Sequence, residues 1–384
     1  MSEFNVQALD EGLIRISIKR WAMDKPSISL CMIVKNEEEY LPKCLSSVMR
    51  IVDEIIIVDT GSTDNTVSIA EAFGAKVIHI PWQDSFSAAR NRGFEEATGD
   101  WILWLDADEE MDVEEADKLK ELLTRDAIRE QNIEAIQFYF INHLETGETS
   151  HASLDRMVRN RPEYRFEGRI HEQILPSMLW ANPEVKVGQV DIHIHHYGNL
   201  AKNILRQDKI RRNISLLLQS LRENPDYRQY HYYLGIELYR MNDLENALKH
   251  FNSALEDPSG FPKTVLSSAH KYRLMTLETM GKSHDLVHYS MESITLFPDF
   301  TDLYHLMANG LQALGQTGKA IDTLRQALSL GPAQDEYPGV SGHGTYLACV
   351  GLGKLHGSAG DRMNADLYLT LASLMFGDAR IRIR

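Results

Sequence analysis

The chain has 384 residues, 43% of them hydrophobic and 25% charged, which is long enough for two or three globular domains and too apolar for a disordered tail. Its 55 acidic against 40 basic residues leave a formal charge of −15 with His neutral, which disfavours non-specific attraction to nucleic acid or anionic lipid, so any phosphate-bearing partner must be held locally. Three cysteines, Cys31, Cys44 and Cys349, show no C-x-x-C spacing, which excludes an evident disulfide framework or zinc knuckle and fits a reducing, cytoplasmic setting.

Residues 1–26 read as an N-terminal extension with acids ahead of any apolar run, and no stretch of about 18 apolar residues predicts a membrane span. From 27 to about 110, short β-branched runs alternate with helical stretches: SISLCMIV, EIIIVDT, AKVIHI and DWILWLDAD read as strands, while EEEYLPKCLSSVMR, STDNTVSIAEAFG and SFSAARNRGFEEATG read as helices. That order predicts a mostly parallel, Rossmann-like sheet with right-handed crossovers and helices on both faces. Ligands of such sheets lie beyond the carboxyl ends of the strands, so Lys35, Asn36, Asp59, Asp106 and Asp108 are expected on one rim. Residues 133–200 read as shorter, mixed strands around an Arg-rich loop, an irregular continuation of the same α/β domain (27–200).

The remainder reads as helical. Residues 201–227 are expected to form a linking helix, centred on 205–221, whose basic run of Arg206, Lys209, Arg211 and Arg212 reads as a solvated face. From 228 to 384 a period of 34 residues appears, the length of a tetratricopeptide repeat, with Leu234, Gly235, Ala247, Phe251, Ala254 and Pro258 in the first unit and Pro298 and Pro332 one period apart. Four helix pairs are expected.

Tests for phosphate loops fail. No G-x-G-x-x-G follows the first strand, Gly281-Lys282-Ser283 has Thr276 where a Walker loop needs Gly, and His171-Glu172 has Leu175 where a zinc protease needs His. The strongest local signal is WILWLDADEE, a near-continuous apolar strand ending in Asp106 and Asp108. Two residues apart on a strand, these side chains are expected to point the same way and to suit Mg²⁺ or Mn²⁺ holding a diphosphate.

In order and spacing, SISLCMIVKNEE, EIIIVDTGSTDNT, SFSAARNRG and WILWLDADEE resemble the nucleotide-binding half of family 2 glycosyltransferases of the GT-A fold. The resemblance implies a GT-A domain followed by an all-α tetratricopeptide-repeat domain. It implies that Val34, Asn36 and Glu37 close over the nucleoside, that Asp59 contacts base or ribose, and that Arg90 approaches the nucleotide. It further implies that Asp108 ligates the metal and Asp106 contacts ribose or sugar.

Downstream, Arg156-Met-Val-Arg159, Glu167-Gly-Arg-Ile-His171-Glu172 and Ile194-His195-His196-Tyr197-Gly198 narrow the resemblance to repeat-carrying enzymes such as the SunS-like peptide and protein glycosyltransferases. Displacing a nucleoside diphosphate needs a base for the acceptor proton and positive charge for the leaving group. Glu172 is the candidate base, Arg156 and Arg159 are candidates to face phosphate, and His196 is a candidate further metal ligand. The expected activity is metal-dependent, inverting transfer from a nucleotide sugar, expected to be UDP-linked, to a protein or peptide acceptor presented by the repeats. Two alternatives stand: a lipid-linked or cell-surface glycan acceptor, with the repeats serving assembly such as a homodimer, or a non-catalytic scaffold.

Overall fold

The computed structural model describes residues 4–9, 13–18, 26–124, 132–143, 149–198, 203–334 and 337–382. In the N-terminal extension, β1 (Phe4–Leu9) and β2 (Leu13–Ile18) pair as an antiparallel ribbon that the sequence reading leaves without structure. The alternation predicted from residue 27 then appears as β3 (Ile28–Val34), α1 (Leu41–Val48), β4 (Glu54–Asp59), α2 (Thr66–Ala72), β5 (Lys76–His79), α3 (Phe86–Phe94) and β6 (Trp101–Trp104). The next elements are β7 (Glu109–Met111), α4 (Val113–Thr124), β8 (Ile133–His143), β9 (Thr149–Arg159), α5 (Leu175–Ala181) and β10 (Lys186–His196).

One eight-stranded sheet collects β3 to β10 in the order β5-β4-β3-β6-β9-β8-β10-β7. The first four are mutually parallel, as β-α-β crossovers require, and β9 pairs antiparallel with both β6 and β8. Both faces are covered, and the period-two rule divides β3 between them: Leu30, Met32 and Val34 enter one core while Cys31 joins Ile56, Ile102 and Trp104 in the other.

Two expectations change. Residues 133–196 do not form short strands: β8, β9 and β10 have 11 residues each and extend the same sheet. The sequence TSHASLDRMVR of β9 hides its strand because only Met157 and Val158 are core residues and polar groups fill the rest. The second change concerns the acids: β6 stops at Trp104, so Asp106 and Asp108 lie in the turn beyond the strand and do not share a pleat face.

After α6 (Asn203–Glu223) come four helix pairs: α7 (Arg228–Arg240) with α8 (Leu244–Glu256), α9 (Lys263–Thr279) with α10 (Ser283–Leu296), α11 (Thr301–Ala313) with α12 (Thr317–Leu330), and α13 (Tyr346–Ser358) with α14 (Arg362–Arg382). Ala247, Phe251 and Ala254 are fully buried in the first pair, as the repeat signature requires. An apolar cluster of Ile170, Leu216, Leu217, Tyr230 and Leu234, backed by Trp82 and Phe86, seals the α/β half against α6 and α7. No helix among the described residues is long and apolar enough to cross a membrane.

Gly235 shows how tightly the repeat helices approach. A Cβ there would stand 2.6 Å from Phe251 Cε1, too close for any side chain without displacing the buried ring. Gly235→Ala should therefore cost about 1–3 kcal/mol by overpacking, read as a lower urea midpoint with an unchanged slope.

Candidate active site

The rim is assembled first by backbone geometry at the strand ends. Beyond β3, Asn36 adopts a left-handed conformation (φ 57°), which lets its side-chain oxygen accept from Thr63 N–H (2.7 Å) while its own N–H donates to Ser62 Oγ (2.9 Å). Val34 is buried, and its carbonyl accepts from both the N–H and the hydroxyl of Thr60, each at 3.1 Å. At the end of β4, Asp59 accepts from the N–H groups of Ser62 (3.0 Å) and Gly61 (3.2 Å), and His79 Nδ1 stands 3.2 Å from its Oδ2. Burial opposes ionisation of Asp59, but these hydrogen bonds hold its carboxyl below the usual range.

Across the middle of the rim runs a line of alternating charges. Arg90, placed on α3 by the Ser85 cap, donates from Nε to Glu172 Oε1 (2.6 Å) and from Nη2 to Asp106 Oδ1 (2.8 Å). Arg156, on β9, stands 3.9 Å from Asp106 Oδ2 and donates two bonds to the buried Glu109, at 2.6 and 3.0 Å. Glu109 in turn accepts from Asp106 N–H at 3.0 Å, so Glu172, Arg90, Asp106, Arg156 and Glu109 are one connected unit. Burial works against the charge on Asp106, but Arg90 and Arg156 outweigh it and hold the carboxyl at about 2. Burial opposes the charge on Arg90 too, and Asp106 and Glu172 reverse that effect.

Asp108, two residues on, is in a different environment. Burial and then the neighbouring Asp106 push its carboxyl up, against the pull of His196 and Lys209. His196 Nε2 stands 3.7 Å from Asp108 Oδ1, while its Nδ1 is 2.8 Å from Asn142 Oδ1. That outer contact places the proton on Nδ1 and leaves the Nε2 lone pair toward Asp108. A Cβ at Gly198 would collide with Asp108 Oδ2 and stand 2.7 Å from His196 Nε2, so the backbone there keeps a small space between the two open. Among the described residues no group of three or more His, Cys, Asp or Glu side chains assembles into a metal centre. The pair fits a divalent cation that takes its remaining ligands from phosphate and water. Glu37 adds to the acidity: burial first, then Asp108, raise it to about 7. A cavity of about 240 Å³ beside Asp108, with Tyr40, Lys43 and Tyr197 in its walls, is smaller than the roughly 300–1,000 Å³ of an enclosing ligand site, so a nucleotide-sized ligand must lie across the open rim.

Arg159 does not join the rim. It pairs in register with Trp101, at the opposite end of β6 from Asp106, and its guanidinium lies 4.3 Å from the Trp101 ring. His195 stacks on His143 (ring centroids 5.2 Å apart), facing away from His196 as alternation along β10 demands. Sequence reasoning missed Glu109, whose only signal was an acid directly after the D-x-D, and Asn142, which is brought opposite His196 by the β8–β10 register. On the linking helix Lys209, Arg211 and Arg212 are exposed, as expected of a solvated face; Lys209 lies within electrostatic reach of Glu37 and Asp108, and Arg212 lies 5.0 Å from the Phe86 ring.

The chain is thus a half-parallel sheet with an acid-rich rim at its strand ends, followed by a helical solenoid. The profile of glycosyl transferase family 2 matches residues 29–180. Over 318 residues the chain is 33% identical to a TPR repeat-containing protein of Synechococcus elongatus, covering 79% of this chain and 76% of that one. It is 29% identical over 243 residues to the SPbeta prophage-derived glycosyltransferase SunS of Bacillus subtilis, covering 62% of this chain and 55% of SunS. A 95-residue stretch is 45% identical to an uncharacterized glycosyltransferase of Rickettsia felis, covering 24% of this chain and 32% of that one. The chain thus carries a family 2 glycosyl transferase domain.

The charge line makes stability depend on Arg90. Arg90→Gln leaves Asp106 and Glu172 without their shared cation and should cost about 3 kcal/mol near neutral pH, measured by urea unfolding. Because Asp106 is depressed in the folded state, its contribution is present above its ordinary value of 3.8 and is lost as pH falls through about 2. The gap between variant and wild type should therefore narrow as the pH of the melt is lowered below about 4.

Proposed function

We propose that this glycosyltransferase moves a sugar, with inversion, from a nucleotide-sugar donor, taken as UDP-linked, to a protein or peptide acceptor held by the helical repeats. The observation that carries the reading is the division of labour in the D-x-D turn: Asp106 is clamped between two guanidinium groups, while Asp108 faces His196 beside the space kept open by Gly198. A clamped carboxylate suits a fixed hydrogen-bond contact to ribose or sugar. An unclamped carboxylate with a raised pKa suits cation binding. Mg²⁺ or Mn²⁺, when bound, supplies positive charge to the diphosphate, and Asp108 and His196 are the residues that would hold it. Asp59, Val34, Asn36 and Glu37, on the strand ends nearest β4, are the nucleoside side of the rim.

The transfer is a single displacement. The acceptor oxygen or sulfur bonds to the anomeric carbon as the bond from that carbon to the diphosphate oxygen breaks, the electron pair leaves with the nucleoside diphosphate, and the acceptor proton passes to Glu172. Arg90 engages Glu172 through Oε1 only, which orients the carboxylate and leaves Oε2 to take the proton. The stack of His171 on Tyr233, with ring centroids 3.7 Å apart, ties the segment carrying this base to the first repeat helix, so the repeats position the base as well as extend the acceptor surface. Intact-mass analysis of candidate polypeptides incubated with a panel of nucleotide sugars tests the reading directly: a mass gain of one hexose or hexosamine supports it, and transfer only to lipid or glycan acceptors refutes the polypeptide assignment.

Two further outcomes follow from the geometry. Glu172→Gln keeps the bond to Arg90 but not the basicity, and should lower transfer to an alcohol acceptor by about 10²–10⁴-fold with nucleotide affinity unchanged, as measured by initial rates and calorimetry. Protons compete with the cation at the rim, where Glu37 titrates near 7 and Asp108 is raised, so Mn²⁺ should bind more tightly as pH rises through about 7. Calorimetry with Mn²⁺ on either side of that pH checks this, and Asp108→Asn should remove most of the binding.

A further inference from the structure

The proposed base lies between two parts of the molecule. Glu172 is tied to the donor rim through Arg90, whose other nitrogen reaches Asp106, while the residue before it, His171, is tied to the repeats, its ring stacked on Tyr233 of α7 with centroids 3.7 Å and planes 10° apart. An acceptor nucleophile must meet Glu172 from the side that the donor leaves free. His171 and the first repeat helix bound that side.

The loop that carries both residues is held by three helices. It closes on itself through Glu167 N–H to Gln173 O (2.9 Å) and Gln173 N–H to Glu167 O (3.0 Å). The Arg169 carbonyl accepts from Phe86 N–H at the start of α3 (2.8 Å), and its guanidinium donates to both oxygens of Glu223 at the end of α6 (2.6 and 2.9 Å). Gln173 Nε2 donates to Gln229 Oε1 on α7 (3.3 Å). Within this frame His171 has φ 52°, in the left-handed region that a residue with a Cβ seldom adopts. Such a conformation persists only where its surroundings over-determine it, and it is concentrated at active sites.

His171 is nevertheless exposed: Tyr233 covers one face of the ring and the other is open to solvent beside Glu172. Its ring nitrogens have no hydrogen-bond or ion-pair partner among the described residues. A histidine that served packing alone would have its ring enclosed and its nitrogens satisfied. A ring backed by tyrosine, bare on its outer face and with free nitrogens, suits a flat polar group such as a peptide bond.

We infer that His171 is the acceptor contact of this enzyme, its open face receiving the peptide group beside the residue to be modified, and that Tyr233 of the first repeat is the positioning residue behind it. The inference rests on the reading of Glu172 as base and of a polypeptide as acceptor. The first repeat then takes part in acceptor binding at the reacting atoms as well as farther along the solenoid.

The test is steady-state kinetics on the full chain with Mn²⁺, using the nucleotide sugar and polypeptide that give a mass gain in the assay above. His171→Asn keeps a residue that tolerates the left-handed backbone but removes the ring. It should raise KM for the polypeptide about five- to tenfold while KM for the nucleotide sugar stays within about twofold. Tyr233→Leu should act in the same direction, and Tyr233→Phe, which keeps the stack, should retain most of what Tyr233→Leu loses. The readout is the ratio of the two KM values, because partial unfolding lowers the active fraction and leaves KM as it was. An unchanged ratio in His171→Asn, or a rise in the nucleotide-sugar KM in its place, overturns the inference and leaves the polypeptide reading standing. A wild-type chain that transfers to no polypeptide overturns both.

Discussion

Arg90 is the residue on which the site depends. Its guanidinium is buried, touches Glu172 through one nitrogen and Asp106 through another, and lies 5.5 Å from the Phe166 ring. A buried guanidinium is tolerated only when its fork is filled by acceptors, and here the two acceptors come from distant segments, the turn after β6 and the loop before α5. The same bonds that neutralise the cation therefore set the distance between Asp106, the proposed sugar contact, and Glu172, the proposed base. Arg156 and Glu109 repeat the arrangement on the other side of Asp106. The result is a rigid line of charges in which no member can move without exposing another.

Rigidity in the middle of the rim contrasts with its two ends. Asp108 and Glu37 carry raised carboxyl pKa values because burial has removed water and their neighbours are acids. The proposed cation between Asp108 and His196 would relieve them. Ile170, Leu216, Leu217, Tyr230 and Leu234 contribute no chemistry, but they hold α6 and the first repeat helix against the loop that carries His171 and Glu172. The helical half thus packs directly against the loop that carries the proposed base.

The order of strands and helices was legible from residue 27 onward because burial repeats locally: every second residue of a strand and every third or fourth of a helix meets the core, and the 34-residue repeat extends that logic. The motifs at the strand ends carried the family for a similar reason, since a rim residue must follow its strand directly. β9 was illegible because its partners β6 and β8 are what make it a strand, and its own residues are mostly polar.

What tertiary structure alone decided is which of several equivalent side chains faces which neighbour. Asp106 and Asp108 are the same residue type two positions apart, and the sequence reading gave them one face; the turn gives one to two arginines and the other to a histidine. Arg156 and Arg159 are three apart on one strand, yet antiparallel pairing with β6 puts one at the rim and the other beside Trp101. The seam fixes the rotation of α6, burying Leu216 and Leu217 and leaving Lys209 and Arg212 exposed. Local sequence determines periodicity, and therefore elements and fold class. It does not determine register and rotation, because these are set by contacts between segments tens to more than a hundred residues apart, and the chemistry of the site depends on those.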